Sequence, residues 1–243
     1  MAGHNKWSKI KNKKGVADVQ KGKMFTKLGR AIAVAVREGG DNPEYNAALQ
    51  AAVDKAKAYN MPNKNIERAI KSATQNLDGA NFEHVIYEGY GPQGIAVLVE
   101  CLTDNRNRTA PEVRHAFDKF GGNLGTSGSV SFMFDRLGVI IIDSKDIDAD
   151  ELMMVALEAD AKDIKTEDGI TEIYTSVENF NNAKNIIKDA GYEFENAEIM
   201  YIPQNLQDIT DEDIIKKMNG LIDMLEENDD VQDVYHNWND DEE

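Results

Sequence analysis

The residues of this chain whose types can carry out chemistry are few and scattered. The four histidines are His4, His84, His115 and His236. They form no i, i+4 pair and have no cysteine or glutamate at metal-ligand spacing, so the sequence predicts no metal site and no cofactor. Cys101 lies in an expected strand, where a lone cysteine is usually a small core residue. A catalytic pair of Cys101 with His115 is the alternative.

A glycine-rich segment, residues 121–128, has the sequence GGNLGTSG and exposes backbone amides that suit a phosphate. It lacks the Gly-Lys-Ser/Thr ending of a nucleotide P-loop, and it follows an expected helix instead of opening one. The sequence favours a flexible helix-to-strand loop, with nucleotide binding as the alternative. We therefore expect no enzyme activity and no small-molecule substrate.

Cationic side chains are concentrated near the N terminus. Residues 1–75 hold 15 lysines and arginines against 6 acidic residues, and the other 168 residues hold 12 against 38, in a chain of net charge −17. This segregation predicts a basic module that meets a polyanion, attached to acidic domains that repel it. The candidate nucleic-acid-binding residues are Lys6, Trp7, Lys9, Lys11, Lys13, Lys14, Lys21, Lys23, Lys27, Arg30 and Arg37.

The cations of this basic module would neutralise phosphates and release counterions, and Trp7 has a ring on which an exposed base can stack. Such contacts position a nucleic acid without reading its sequence, and no base-reading helix is identifiable. Two alternatives stay open. Instead of binding a polyanion, the cations would form a solvated helix face, or a face that docks onto the acidic domains of the same molecule.

A second cationic cluster lies where a strand is expected to pass into a helix. It consists of Arg106, Arg108 and Arg114. Helix N-termini often bind anions, so the cluster is a candidate secondary anion-binding site. The alternative is that these arginines pair with carboxylates of the same or a neighbouring domain, which contributes little stability at a surface.

Helical periodicity positions the basic residues. Apolar side chains at i, i+4, i+7 and i+8 predict a helix from about Val19 to Glu38, with Lys23, Lys27, Arg30 and Arg37 opposite the apolar stripe. Asp41-Asn42-Pro43 predicts the cap and first-turn proline of a second helix. A third helix follows Pro62. We expect residues 1–78 to be a basic arm plus a three-helix domain.

After the helical region the apolar period changes to 2. Strands are expected at Val85–Tyr87 and Ile95–Val99, joined as a hairpin by a Gly-Pro-Gln-Gly turn. Thr109 and Glu112 have capping-box spacing and predict a helix start. Val130–Phe134 is typical of a further strand.

Residues 136–202 alternate as βαββαβ, which predicts an inserted ferredoxin-like domain. The following helix and strand cannot fold alone, so we expect them to complete the sheet begun earlier. The second domain is then discontinuous, over 79–135 and 203–238, and 239–243 is an acidic tail. The predicted fold class is α+β: an N-terminal helical bundle followed by two α/β domains with mixed or antiparallel sheets, one of them ferredoxin-like.

No apolar run approaches the ~18 residues of a membrane span, and the N terminus has no secretory signal pattern. We expect a cytoplasmic protein with no membrane partner, and the single cysteine fits a reducing compartment. The sequence leaves the oligomeric state open, with a monomer as one option.

Five segments resemble the signatures of the YebC family. They are MAGHNKWSKIK (1–11), KGKMFTKL (21–28), NMPNKNIERAI (60–70), YEGYGP (87–92) and LTDNRNRT (102–109). The resemblance implies a helical first domain, two α/β domains and a non-enzymatic, cytoplasmic regulator of gene expression. Family members are described as DNA-binding transcriptional regulators. The alternative is a ribosome-associated translation factor contacting ribosomal RNA, related to a mitochondrial activator of cytochrome oxidase synthesis.

Overall fold

The computed structural model of the chain describes residues 18–75 and 82–240, with side chains from Lys21 onward. Within these ranges the α-helices are α1 (Asp18–Gly39), α2 (Ala47–Ala58), α3 (Asn63–Gln75), α4 (Arg106–Lys119), α5 (Ala149–Glu158), α6 (Phe180–Asp189) and α7 (Glu212–Glu227). The strands are β1 (Glu83–Tyr90), β2 (Ala96–Thr103), β3 (Asn123–Leu124), β4 (Phe134–Asp143), β5 (Asp163–Glu167), β6 (Ile170–Thr175), β7 (Asn196–Pro203), β8 (Gln207–Asp208), β9 (Val231–His236) and β10 (Trp238–Asn239). None of the helices in the described ranges has the length and apolar character of a membrane span.

Helices α1, α2 and α3 pack around an apolar core that includes Ile32, Leu49 and Ile66. The expected first and third helices are confirmed, but the start of the second was wrong. Helix α2 is capped by Asn46, whose side-chain oxygen accepts from the Leu49 amide at 3.0 Å. The Asn46 amide group also donates to the Ala35 carbonyl of α1 at 2.6 Å. This contact between helices selects the cap, which the Asp41-Asn42-Pro43 pattern did not reveal.

The next sheet has the strand order β3-β1-β2-β9. Strands β1 and β2 form the expected antiparallel hairpin, and β9 pairs antiparallel with the other edge of β2. Helices α4 and α7 cover this sheet through Phe117 and Leu221, and Trp238 joins the same core. The C-terminal strand therefore lies beside β2, although the domain limits themselves stay a prediction. The described residues of 16–134 and 203–240 form one compact unit, which includes the three helices.

Two local predictions in this unit were wrong. Helix α4 begins earlier than Thr109, because Asn105 is its cap and accepts from the Arg108 amide at 3.2 Å. Residues 131–133 form a 3₁₀ turn instead of a strand. The carboxylate of Glu88 accepts the Ser131 amide at 2.8 Å and so holds this backbone away from a sheet ladder.

Residues 135–202 form the other compact unit. Its sheet has the order β5-β6-β4-β7, with antiparallel pairing of β6 to both β5 and β4. Helices α5 and α6 contribute Leu152 and Ile187 to a core with Ile140 and Ile173. This arrangement is the expected ferredoxin-like order, and it confirms the predicted α+β class.

Candidate nucleic-acid interface

Helix α1 carries the described part of the predicted basic surface. Lys21 and Lys23 are exposed near its start, and Arg37 is half-buried in its last turn. The expected contacts at Lys6, Trp7, Lys9, Lys11, Lys13 and Lys14 lie outside the described residues. Spacing of i, i+7 and i+14 places Lys23, Arg30 and Arg37 on one side of α1, because a helix repeats its direction about every seven residues.

Lys27 is not available on this surface, because it is only 5% exposed. Its Nζ donates to the backbone oxygen of Glu226 at 2.6 Å. Burial lowers the pKa of Lys27, although the nearby charges of Glu226 and Asp233 oppose this effect. Lys27 therefore has an internal partner at the end of α7.

The chain from Glu226 to Asp233, here called the acidic segment, holds two further cations of the helical bundle. Arg30 donates to Asp230 Oδ1 at 2.8 Å and to the Asp229 backbone oxygen at 2.9 Å. Lys55 of α2 pairs with Asp233 at 2.6 Å. The middle of α1 thus docks onto the acidic part of the same unit, which is one of the two alternatives left open by the sequence.

Asp230 is the centre of this contact and is 2% exposed. Its Oδ2 accepts from the hydroxyl of Thr109 at 2.7 Å, from that of Thr103 at 3.1 Å and from Arg108 Nη2 at 2.5 Å. Burial alone would raise the pKa of Asp230. The hydrogen bonds from Arg108, Thr109 and Thr103 outweigh burial and hold the pKa below its ordinary value.

The arginines of the predicted secondary anion site are therefore in different environments. Arg108 is bound to Asp230 and to Asp104, and the first of these bonds is the leading cause of its raised pKa. Arg106 pairs with Glu83 at 2.7 Å. Arg114 is exposed and makes no ion pair with any residue in the described part of the chain. Secondary anion binding stays a prediction, with Arg114 as its remaining uncommitted cation.

A groove of about 950 Å³ runs between α1 and α3. Arg30, Arg37 and Arg68 line it, together with the rings of Phe25 and Phe82. Among the described residues that line it, none is Asp or Glu. The groove is therefore a positively charged and partly aromatic surface in a chain that carries 44 acidic residues.

Helix α3 adds cations that sequence reasoning did not include in the site. Lys64, Arg68 and Lys71 recur at i, i+4 and i+7, which places them on one helix face, and all three are exposed. They make no ion pair with residues in the described ranges. The signal was present in the sequence as a basic row opposite the apolar residues of α3, and the packing of α3 against α1 brings this row beside the groove.

The glycine-rich loop uses its amides within the molecule. The Glu88 carboxylate accepts from the amides of Gly128, Val130 and Ser131 at 2.7 to 2.8 Å. Burial would raise the pKa of Glu88, but these backbone bonds outweigh burial and lower it. Of these three donors, only Gly128 belongs to the glycine-rich segment 121–128. The other glycine amides of the segment donate to backbone carbonyls, from Gly121 to Asp118, from Gly122 to Phe117 and from Gly125 to Glu88. Internal acceptors thus occupy the glycine amides that nucleotide binding would require.

The residues considered for catalysis are separated by burial. Cys101 is fully buried in the core of its sheet, and burial raises the pKa of its thiol to about 12. His115 is exposed on α4. A thiol of this kind is a poor nucleophile at neutral pH. Among the described residues there is also no group of His, Cys, Asp and Glu that could hold a metal ion.

Comparison with known proteins is consistent with this architecture. Residues 5–76 match the model of the TACO1/YebC protein N-terminal domain, and residues 82–238 match that of the TACO1/YebC second and third domain. A "Probable transcriptional regulatory protein" of Finegoldia magna is 58% identical over 98% of this chain and 99% of its own length. One of the same name from Acetivibrio thermocellus is 56% identical over 98% and 99%. The crystal structure of the conserved hypothetical protein Aq1575 from Aquifex aeolicus is 47% identical, covers 93% of both chains and has a TM-score of 0.81.

Proposed function

This chain belongs to the TACO1/YebC family, and from that premise we propose that it is a cytoplasmic, non-enzymatic regulator that binds nucleic acid through its helical bundle. The name of its relatives, probable transcriptional regulatory protein, favours DNA as the target. The buried thiol of Cys101 and the occupied amides beside Glu88 support a role without catalysis.

The observation that carries the proposal is the cationic surface around the α1–α3 groove. This surface consists of Lys21, Lys23, Arg37, Lys64, Arg68 and Lys71. These lysines and arginines, all exposed except the half-buried Arg37, lie on one side of the bundle, and no carboxylate of the described residues lines the groove between them. They give a local positive potential that attracts phosphates. Lys27 and Arg30, expected from the sequence to contribute, are less available because they are bound to the acidic segment.

The test is the salt dependence of binding. A triple charge reversal of Lys23, Lys64 and Lys71 to Glu removes three exposed cations without touching the apolar core. Binding of a fluorescent duplex DNA is measured by anisotropy at several salt concentrations. We expect weaker binding of unrelated sequences and a log–log slope that is flatter by about 2 to 3, since each lost phosphate contact contributes about 0.9.

The matched control places the same charge change elsewhere. Lys145, Lys188 and Lys216 are also exposed lysines, and reversing all three gives the same net charge. If the control flattens the slope as much as the first triple variant, only net charge matters and the proposed surface is wrong. If neither variant changes the slope, the helical bundle does not contact phosphates.

The second candidate is a translation factor that contacts ribosomal RNA. The bonds that α1 makes within the molecule favour it over the reading of duplex DNA, because a recognition helix needs one free face to enter a major groove. The middle of that face, at Lys27 and Arg30, is bonded to the acidic segment. Sedimentation of gently lysed cells through a sucrose gradient, with and without ribonuclease, separates the candidates. Co-migration with ribosomes that ribonuclease abolishes supports translation, whereas selective retention of one duplex supports transcription.

A further inference from the structure

We infer that the groove between α1 and α3 holds an unpaired nucleotide of a single-stranded nucleic acid. The inference rests on the proposed function, because it names the form of nucleic acid that the cationic surface contacts. At about 950 Å³ the groove falls in the range of about 300–1,000 Å³ that is common for ligand pockets. It is thus large enough for a base and its sugar instead of a lone phosphate.

The charges around the groove favour a backbone passing along its rim. Arg68 is exposed on α3 and makes no ion pair with any described residue, and Arg37 lines the groove from the last turn of α1. Lys64 and Lys71 extend this row by one turn of α3 in each direction. Successive phosphates of a strand can therefore be neutralised along one line.

Aromatic and guanidinium planes supply surfaces for stacking. Phe25 lines the groove from α1 and is half-buried. The guanidinium of Arg30, also on α1, lies 5.4 Å from the ring centroid of Phe82. Asp230 fixes this guanidinium by a bond of 2.8 Å, so little conformational freedom is lost when a base stacks beside it.

Apart from Arg68, the polar groups on the α3 wall are neutral. Asn65, Ser72 and Gln75 line the groove at spacings of seven and three residues, which places them on one side of the helix. Amide and hydroxyl groups both donate and accept hydrogen bonds, as the edge of a base requires.

This combination suits an unpaired base better than a duplex. In a double helix each base face is covered by its neighbours and each pairing edge is occupied. Only a base outside a duplex can lay its face on Phe25 and its edge on Asn65 or Gln75. Both DNA and RNA strands offer this chemistry.

The experiment compares the affinity of the full chain for three fluorescent probes by anisotropy: a 12-nucleotide DNA strand, the RNA strand of the same sequence, and the DNA duplex. Phe25→Leu keeps an apolar side chain but removes the flat ring. We expect it to weaken binding of at least one single strand about five- to tenfold, because an unpaired base loses the ring on which it stacks. Duplex binding should be unchanged, because paired bases have no free face to stack on Phe25. Stacking tolerates any base, so the sequence of the probe is not critical. Tightest binding by the DNA strand or by the RNA strand supports the inference equally and identifies the source.

Two further variants keep the test informative if Phe25→Leu unfolds the bundle. Ser72 is exposed, so Ser72→Leu narrows the groove without entering the core, and we expect the same selective loss for single strands. Phe132→Leu is the matched control, because Phe132 is 68% exposed and does not line the groove. It should bind every probe as the unmodified chain does.

The possible failures can be distinguished. If Ser72→Leu and a folded Phe25→Leu leave single-strand binding unchanged, or weaken duplex binding to the same degree, the inference is overturned while the proposed function stands. If inorganic pyrophosphate displaces the strand as well as an unlabelled strand does, the groove is a simple anion site and the inference is also overturned. If no probe binds at all, the proposed function fails together with the inference.

Discussion

Replacing Asp230 with Asn tests whether the acidic segment anchors the helical bundle. The buried Asp230 carboxylate receives Arg30 on Oδ1 and Arg108, Thr103 and Thr109 on Oδ2. Asparagine keeps one acceptor oxygen and replaces the other with an NH₂ donor. That donor must face either Arg30 or the three donors on the opposite side, so a charge-assisted hydrogen bond is lost in both orientations.

The size of the effect follows from burial on the two sides of the contact. Removing one partner of a buried ion pair typically costs about 3–5 kcal/mol. The side chains of Arg30 and Arg108 are 24% and 42% exposed, so water partly solvates the charges left behind. We therefore expect the Asn variant to lose about 2–4 kcal/mol of unfolding free energy. For a urea slope of about 2 kcal/mol per molar, the midpoint falls by about 1–2 M.

Tryptophan fluorescence can report this change. Trp238 lies in the core of the same unit and is 6% exposed. The chain has two tryptophans, so the measurement uses a Trp7→Phe background in which Trp238 alone emits. Asp229→Asn is the matched control, because Asp229 is exposed and the bond from Arg30 goes to its backbone oxygen. The control should stay within about 0.5 kcal/mol of the parent. Equal stability of the Asp229 and Asp230 variants would refute the anchoring role.

The pH dependence of unfolding free energy, compared between the parent and Asp230→Asn, adds a second check. The pKa of Asp230 is lower in the folded protein than its ordinary value of 3.8. A depressed carboxyl pKa contributes stability that is fully present above the ordinary value and is lost as the pH falls through the folded value. The stability gap between the parent and Asp230→Asn should therefore be constant from neutral pH to about pH 5. It should shrink below about pH 4, and a gap that widens there would contradict this reasoning.

Two other predictions concern groups that have internal roles. Glu88→Gln should destabilise the chain by about 1–3 kcal/mol in urea unfolding, because the amides of Gly128, Val130 and Ser131 lose a charged acceptor. Unchanged stability would show that the loop does not depend on this carboxylate. Cys101 should react with a water-soluble disulfide reagent only as the chain unfolds, because the thiol is buried and its pKa is raised to about 12. Rapid labelling of the native protein at neutral pH would contradict this assignment.

Elements defined by local periodicity were predictable from the sequence. The helix expected from Val19 to Glu38 is observed as Asp18–Gly39, and the βαββαβ order of residues 136–202 gives the observed ferredoxin-like sheet. In both cases each segment carries its own apolar pattern, because one face of it must be buried whatever its neighbours are.

Errors occurred where a contact distant in sequence selects the local structure. Several polar residues precede α2, and Asn46 becomes the cap because it also reaches the Ala35 carbonyl of α1. Residues 131–133 turn because Glu88, more than 40 residues earlier, accepts the Ser131 amide. Neither partner can be recognised from propensity alone, since the competing local choices are close in free energy.

The candidate site shows the same distinction. The sequence identified the basic face of α1 but had no means of separating Lys23, which is exposed, from Lys27, which is buried. The difference comes from the acidic segment, which lies about 200 residues away along the chain. The row on α3 was visible as a pattern, but its place beside the groove depends on the packing of α3 on α1.

The acidic part of the chain therefore has an internal role. It neutralises the middle of α1, and a phosphate that approached Arg30 there would have to replace its bond to Asp230. A hydrogen bond to a charged group contributes about 1.5–3 kcal/mol, so this competition would weaken phosphate binding by about ten- to 150-fold. For the proposed phosphate binding, Lys23 and the α3 row are better placed, because these cations make no ion pair with residues in the described ranges. Charge reversal at Lys27 or Arg30 would report mainly on folding, which is why the binding test uses Lys23 and the α3 lysines instead.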